Sequence, residues 1–158
     1  MIALIQRVSR ASVNINDKEV AAIGTGLMVL LGIQVGDTDK EAKKLALKTV
    51  SLRVFDDDNG DMNLDVKSVE GGVLIVPNFT LAADTSRGNR PGFSTAMPPK
   101  DAEPLFELFA QETKALTNGV QTGVFGADMQ VSLVNDGPIT ISLETKNTRY
   151  DCFITKIN

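Results

Sequence analysis

Leu27-Met28-Val29-Leu30-Leu31-Gly32-Ile33-Gln34 is almost unbroken apolar sequence, and its reading decides the fold. A half-exposed strand alternates apolar and polar residues, so a short run with no polar face reads as a strand buried on both sides. Gly24-Thr25-Gly26 breaks the chain before it, and Gly36 and Asp37 end it. Just beyond, Ala42, Leu45, Ala46, Thr49 and Leu52 recur on one face, which predicts a helix from about 39 to 52 capped by Asp37 or Thr38. On the N-terminal side, residues 2–15 alternate and read as one long or two shorter strands. The turn Asn16-Asp17-Lys18 leads into a return strand, Val20–Ile23.

The rest of the chain follows the same grammar. Arg53–Phe55 reads as a short strand and Val73–Val76 as a second buried one, running into Pro77-Asn78-Phe79-Thr80-Leu81. Residues 82–99, rich in Gly, Pro, Ser and Thr, form a long loop, and such loops inside a compact domain are more often functional than idle. Asp101 to about Leu116 is a helix with Pro104 in its first turn, Leu105, Leu108 and Phe109 facing inward, and Asn118-Gly119 as its stop. Val120–Val124, Met129–Val134 and Ile139–Leu143 read as strands, the last two joined by a turn at Asn135-Asp136-Gly137-Pro138. The order β-β-β-α-β-β-α-β-β-β fits one mixed α/β or α+β domain with helices over one side of the sheets.

Composition narrows the chemistry more than it names it. The 158 residues contain no histidine and one cysteine, Cys152. That removes Ser-His-Asp and Cys-His nucleophile systems, histidine-ligated zinc, thiolate metal cages and any internal disulfide. Proton transfer must therefore come from carboxylates, hydroxyls, backbone, water or the substrate. A net charge of −4 opposes broad nucleic-acid binding but leaves room to grip one short single-stranded end. Arg7, Arg10, Arg87 and Arg90 are local cations whose plain reading is solvated surface. No run approaches the ~20 apolar residues of a membrane span. MIALIQRVSR lacks the pattern of a signal peptide, so a cytoplasmic location is expected.

Several tempting motifs weaken on inspection. The acidic run Asp56-Asp57-Asp58-Asn59-Gly60 suggests a calcium loop, but no glutamate follows at EF-hand spacing, and a solvated hairpin turn is the better reading. Gly24-x-Gly26 lacks the strand-to-helix context of a phosphate loop. Thr80 ends a buried strand at a Pro-interrupted corner, yet a hydroxyl nucleophile needs an adjacent base, and a local backbone hydrogen bond is the better reading.

Taken in order, the opening Met1–Ala11, the blocks Gly26–Gly32, Met62-Asn63-Leu64 and Ala83-Asp84-Thr85, and above all Phe125-Gly126-Ala127-Asp128-Met129 running on to Asn135-Asp136-Gly137-Pro138-Ile139-Thr140, resemble the D-aminoacyl-tRNA deacylase family. The resemblance covers roughly residues 1–144. It implies a single-domain, three-layer β/β/α fold over 1–145, with 146–158 as a C-terminal extension, edge strand or tail. It implies a homodimer with active sites at the interface, no metal and no organic cofactor. The substrate would be aminoacyl-tRNA, with its 3′-terminal adenosine and amino acid in a pocket built from the two motifs.

The site residues carry over by position. The Gly137-Pro138 pair, cis in the family, would enter the partner's site and exclude an L side chain. Asn78, Phe79 and Thr80 would form the catalytic corner through backbone and positioning, with Pro77, Asn135 and Thr140 at the substrate. Phe125, Met129 and Ala96 would line the adenosine side, though core packing is an alternative for Phe125 and Met129. Arg7 would hold the Gly-Pro loop through backbone carbonyls. The family's usual Ser-Gln-x-Thr-Leu is here Pro77-Asn78-Phe79-Thr80-Leu81, which removes a hydroxyl and a backbone donor at 77. A related L-residue-removing group shares that proline but departs from Asn-x-Gly-Pro. Two further readings stay open: a deacylase shifted toward glycyl- or mischarged L-aminoacyl-tRNA, and a non-catalytic homodimer that binds tRNA ends.

Overall fold

The computed structural model describes residues 1–145 and the backbone of 153 and 154. Its elements run β1 (Ile2–Ile15), β2 (Lys18–Ile23), β3 (Gly26–Gly32), α1 (Asp39–Val50), β4 (Phe55–Asp56), β5 (Met62–Leu64), β6 (Gly72–Pro77), α2 (Pro99–Leu116), β7 (Val120–Thr122), β8 (Gln130–Glu144) and β9 (Phe153–Ile154). A 3-10 turn, Phe79–Ala82, follows β6. One sheet has the order β7-β6-β3-β1-β8-β9, with β2 paired to the second half of β1; β4 and β5 form a separate hairpin. β3 and β6 are parallel neighbours, and both are buried through most of their length. Gly26 lies so close to Gly72 that a Cβ there would collide with its carbonyl. That steric need, rather than phosphate binding, accounts for the glycine.

Three layers follow from how β1 and β8 bend. The first half of β1 lies between β3 and the end of β8, while its second half pairs with β2 and the start of β8. One core joins Ala3, Ile5, Val29 and Ile75 to Ala42 and Leu45 of α1 and Phe106 and Phe109 of α2. A second core joins Val13 and Ala21 of the outer strands to Met28, Leu74 and Val76 on the opposite sheet face. Helices therefore cover one side of the central sheet, and the folded-back strands cover the other. The fold is a single mixed α/β domain of β/β/α layers. No helix among the described residues is long and apolar enough to cross a membrane.

Several boundaries differ from the sequence reading, and one difference is instructive. Asn135-Asp136-Gly137-Pro138 is not a turn between two strands, because β8 continues through it beside one long partner. The ladder pairs Gln6 with Thr140 and Val8 with Asn135, so Asp136–Ile139 stand opposite Arg7 alone. The segment is a bulge, which inserts residues without reversing the chain. Helix α2 begins at Pro99, two residues earlier than expected, which puts Pro104 beyond the first turn on an exposed face. Phe106, not singled out in the sequence, is buried, while Leu108 is only partly so. Helix α1 ends at Val50, the strand expected at 53–55 is β4 at Phe55–Asp56, and β7 stops at Thr122.

Thr38 is the cap of α1, in a capping box with Glu41. Asp37 is instead buried, accepting from the Met1 ammonium (2.6 Å) and the Gln34 amide (2.7 Å). The acidic run forms a hairpin turn in which Asp57 accepts from the amides of Asn59 and Asp61 and from the Asn63 side chain. The expectation for 146–158 falls outside the described residues, Cys152 included, except that the backbone of β9 pairs antiparallel with β8.

Candidate active site

The main cavity, about 700 Å³, opens where β3 and β6 end, against the chain following β7. Its size lies within the roughly 300–1,000 Å³ usual for small-molecule sites. Pro77, Asn78 and Phe79 line it, as do Ala96, Phe125 and Met129. Six residues predicted from separate parts of the sequence thus line one cavity. The lining is mostly apolar, and among the described residues Asp128 is its only charged one.

Local structure explains each position. Proline is tolerated at 77 because β7 pairs only with Val73–Ile75, so the missing donor faces past the end of that strand. The Asn78 amide points the other way and donates to Leu31 (2.8 Å). Gly32 admits the corner: a Cβ there would lie 2.8 Å from Leu81 Cβ and 3.2 Å from the Asn78 carbonyl oxygen. Asn78 then caps the 3-10 turn, its Oδ1 accepting from the Thr80 hydroxyl (2.5 Å) and the Thr80 amide (3.3 Å). Thr80 is therefore tied to Asn78 and does not line the cavity. With the amides of 78 and 80 both engaged, the Phe79 amide is the donor of this corner that makes no hydrogen bond among the described residues.

The opposite wall is rooted in the cores. Phe125 packs at a tilt on Phe106 of α2, centroids 5.9 Å apart, and Met129 packs against the second core. Packing and pocket lining are both true of these two residues. Backbone bonds from Met97 to Ile33 and from Val35 to Thr95 stitch the loop before α2 onto the end of β3, which places Ala96 at the rim. The sequence reading missed Leu30, Ile33, Val76, Phe93 and Met97 in the lining. The apolar run 27–34 signalled burial, but nothing local marked which of its residues face a cavity.

The second motif lies elsewhere. Asn135, Gly137, Pro138 and Thr140 do not line this cavity, and residues 136–138 are exposed. The Gly137-Pro138 bond is cis. Asn135 closes the bulge, its Nδ2 donating to Thr140 Oγ1 (2.8 Å) and its Oδ1 accepting from the Ile139 amide (3.1 Å). The Gln6 side chain reaches the same Thr140 hydroxyl at 3.5 Å. Gly137 has φ +137°, and a Cβ there would lie 2.9 Å from the Ile139 nitrogen. Arg7, 9% exposed, donates through Nε to the Asp136 carbonyl (3.0 Å) and through Nη1 to the Val54 carbonyl (2.9 Å) and Asp56 Oδ1 (3.2 Å). Asn135 and Thr140 thus bond to one another and shape the bulge.

The profile of the family described as D-Tyr-tRNA(Tyr) deacylase matches residues 4–144. The chain belongs to that family. Membership makes it one of a family of hydrolases. A protein of Xanthomonas axonopodis pv. citri (strain 306) named D-aminoacyl-tRNA deacylase is 54% identical over 144 residues, 90% of this chain and 99% of that protein. Among solved structures, one titled c-Myc DNA Unwinding Element Binding Protein superposes with a TM-score of 0.89 at 40% identity, covering 93% of this chain and 100% of the other. A second, titled as a probable eukaryotic D-amino acid tRNA deacylase, shares the deacylase fold at a TM-score of 0.71 and 16% identity, over 86% of this chain and 94% of that one.

Proposed function

We propose that this chain hydrolyses the ester joining a D-amino acid, or glycine, to the 3′-terminal adenosine of tRNA, as a homodimer in which each Gly137-Pro138 bulge completes the partner's pocket. The carrying observation is the separation of the two motifs. The catalytic corner opens on a pocket within the chain, while the bulge stands exposed outside it on a stiff support. A second copy is the economical way to bring the two together, with residues 1–145 as the catalytic unit and 146–158 as an addition to it. The cytoplasm, where charged tRNA is used, is the location that goes with this substrate.

An aminoacyl ester is already activated, so positioning and oxyanion stabilisation supply most of what hydrolysis needs. The unengaged Phe79 amide is the candidate oxyanion donor, and the 2′-hydroxyl of the RNA is the candidate group for activating water. Thr80, held by Asn78, positions the turn and is not the nucleophile. The bulge discriminates by exclusion, its backbone occupying the space an L side chain would need.

Purified protein incubated with D-tyrosyl-, L-tyrosyl- and glycyl-tRNA provides the test, with ester loss as the readout. Turnover of the D ester should exceed that of the L ester by at least about 100-fold. Equal rates on both enantiomers would refute the chirality claim, and no turnover of any would leave an end-binding dimer. In the same assay the double change Pro77→Ser with Asn78→Gln should alter kcat/KM by less than about fivefold, since glutamine keeps a side-chain amide oxygen to cap the turn and the oxyanion donor is backbone. A large gain would show that side chains at 77 and 78 matter more. Sedimentation that finds only monomer at assay concentration would overturn the shared-site arrangement.

A further inference from the structure

At the rim of the pocket, exposed aromatic surface adjoins unpaired positive charge. Phe79 and Phe93 meet edge to face with ring centroids 5.1 Å apart, yet they remain 58% and 41% exposed. Rings this large are usually far better covered. Immediately beside Phe93, Asp84 and Gly92 exchange two backbone bonds (2.8 and 2.9 Å), so residues 85–91 form a closed excursion beside the pocket rim. Asp84 is turned back onto Ser86, whose hydroxyl and amide hold its carboxyl below the usual range. The excursion carries Arg87 and Arg90, both exposed, and neither makes an ion pair or hydrogen bond among the described residues. In a chain of net charge −4 this is a local exception to the overall field.

We propose that Phe93, the outer face of Phe79, Arg87 and Arg90 form a second binding site, for the single-stranded nucleotides immediately 5′ of the terminal adenosine. Aromatic faces accept any base by stacking, and neighbouring cations follow the phosphates, which is how single strands are held without sequence readout. The pocket takes the reacting end of the substrate, and this surface takes the polynucleotide leading to it. The inference rests on the substrate proposed above.

The experiment compares two substrates, D-tyrosyl-tRNA and the D-tyrosyl ester of adenosine, which lacks the preceding nucleotides. For the double variant Arg87→Ala with Arg90→Ala, kcat/KM on the tRNA should fall about 10-fold at low salt. The slope of log kcat/KM against log salt should flatten by about 1.4, two phosphates at ~0.7 each. Turnover of the adenosine ester should stay within about twofold of the parent protein, and Arg87→Lys with Arg90→Lys should restore most of the tRNA rate because phosphate accepts a point charge. Equal losses on both substrates, or none on the tRNA, would overturn the site. A parent protein that hydrolyses neither ester would count against the proposed activity instead. The site would then be judged by anisotropy of a labelled RNA tetranucleotide ending in CCA. Binding weakened about 10-fold in the alanine variant supports it, and unchanged binding rejects it.

Discussion

The corner at Pro77–Ala82 and the bulge at Asp136–Ile139 are both short, irregular segments joined to the same sheet, but they are held in different ways. Asn78 organises the corner from within, capping a turn that starts one residue later. The bulge is organised from a distance: its carbonyl at Asp136 is fixed by Arg7, 129 residues away, and that arginine is itself anchored on Val54 and Asp56. The comparison teaches that a local device suffices where a turn closes on itself within a few residues. An exposed backbone segment that must stand rigid without covering needs support from the core. Asn135 bonds within the bulge, but Arg7 ties it to the rest of the domain.

Removing Arg7 should break this contrast most severely. Arg7→Ala leaves the buried Val54 carbonyl and the partly covered Asp136 carbonyl without their donor, and should cost about 2–4 kcal/mol in urea denaturation. Discrimination between D and L esters should collapse in parallel, as the bulge loses its support. An Arg7→Ala protein with unchanged discrimination would show that Asn135 alone holds the bulge. Asn78→Ala should do less: it releases the Thr80 amide and hydroxyl and should cost about 1 kcal/mol, the usual price of a lost cap. Its signature should be a fall in kcat of about 10-fold with D/L discrimination retained, if the corner serves chemistry and the bulge serves choice as proposed.

The smallest expected effect provides a control away from both regions. Thr38→Ala removes the cap of α1, should cost about 1 kcal/mol, and should leave kcat/KM unchanged. The Thr38 side chain and amide hold Glu41 below its ordinary 4.5. A carboxylate depressed in the folded state contributes stability above its unfolded pKa and loses it as pH falls through the folded value. Parent protein should therefore lose slightly more stability than Thr38→Ala on acidification below about pH 4.5. Parallel denaturation curves at pH 7 and pH 3.5 would show whether the difference closes. A difference that stayed constant would place the effect of Thr38 in the helix cap alone.

The sequence by itself determined the layered mixed α/β class. Burial writes itself into periodicity, so Leu27–Gln34 and Val73–Val76 read as buried strands and Ala42–Leu52 as a one-faced helix before any coordinates. It also located the corner, the bulge and the pocket-lining Phe125 and Met129 through motif order, and it excluded histidine chemistry outright. Tertiary structure alone decided what those residues touch. Asn135–Pro138 carries every local mark of a turn, and only the register of β8 along β1 makes it a bulge in one continuous strand. Phe106 and Phe93 look alike in sequence, yet one is buried on the inner face of α2 and the other stands half open beside Phe79. Nor does a local window link Arg7 to Val54 and Asp136, because those bonds form only when the chain folds back on itself. Periodicity records whether a side chain is buried, while its partners depend on contacts between segments far apart in the chain.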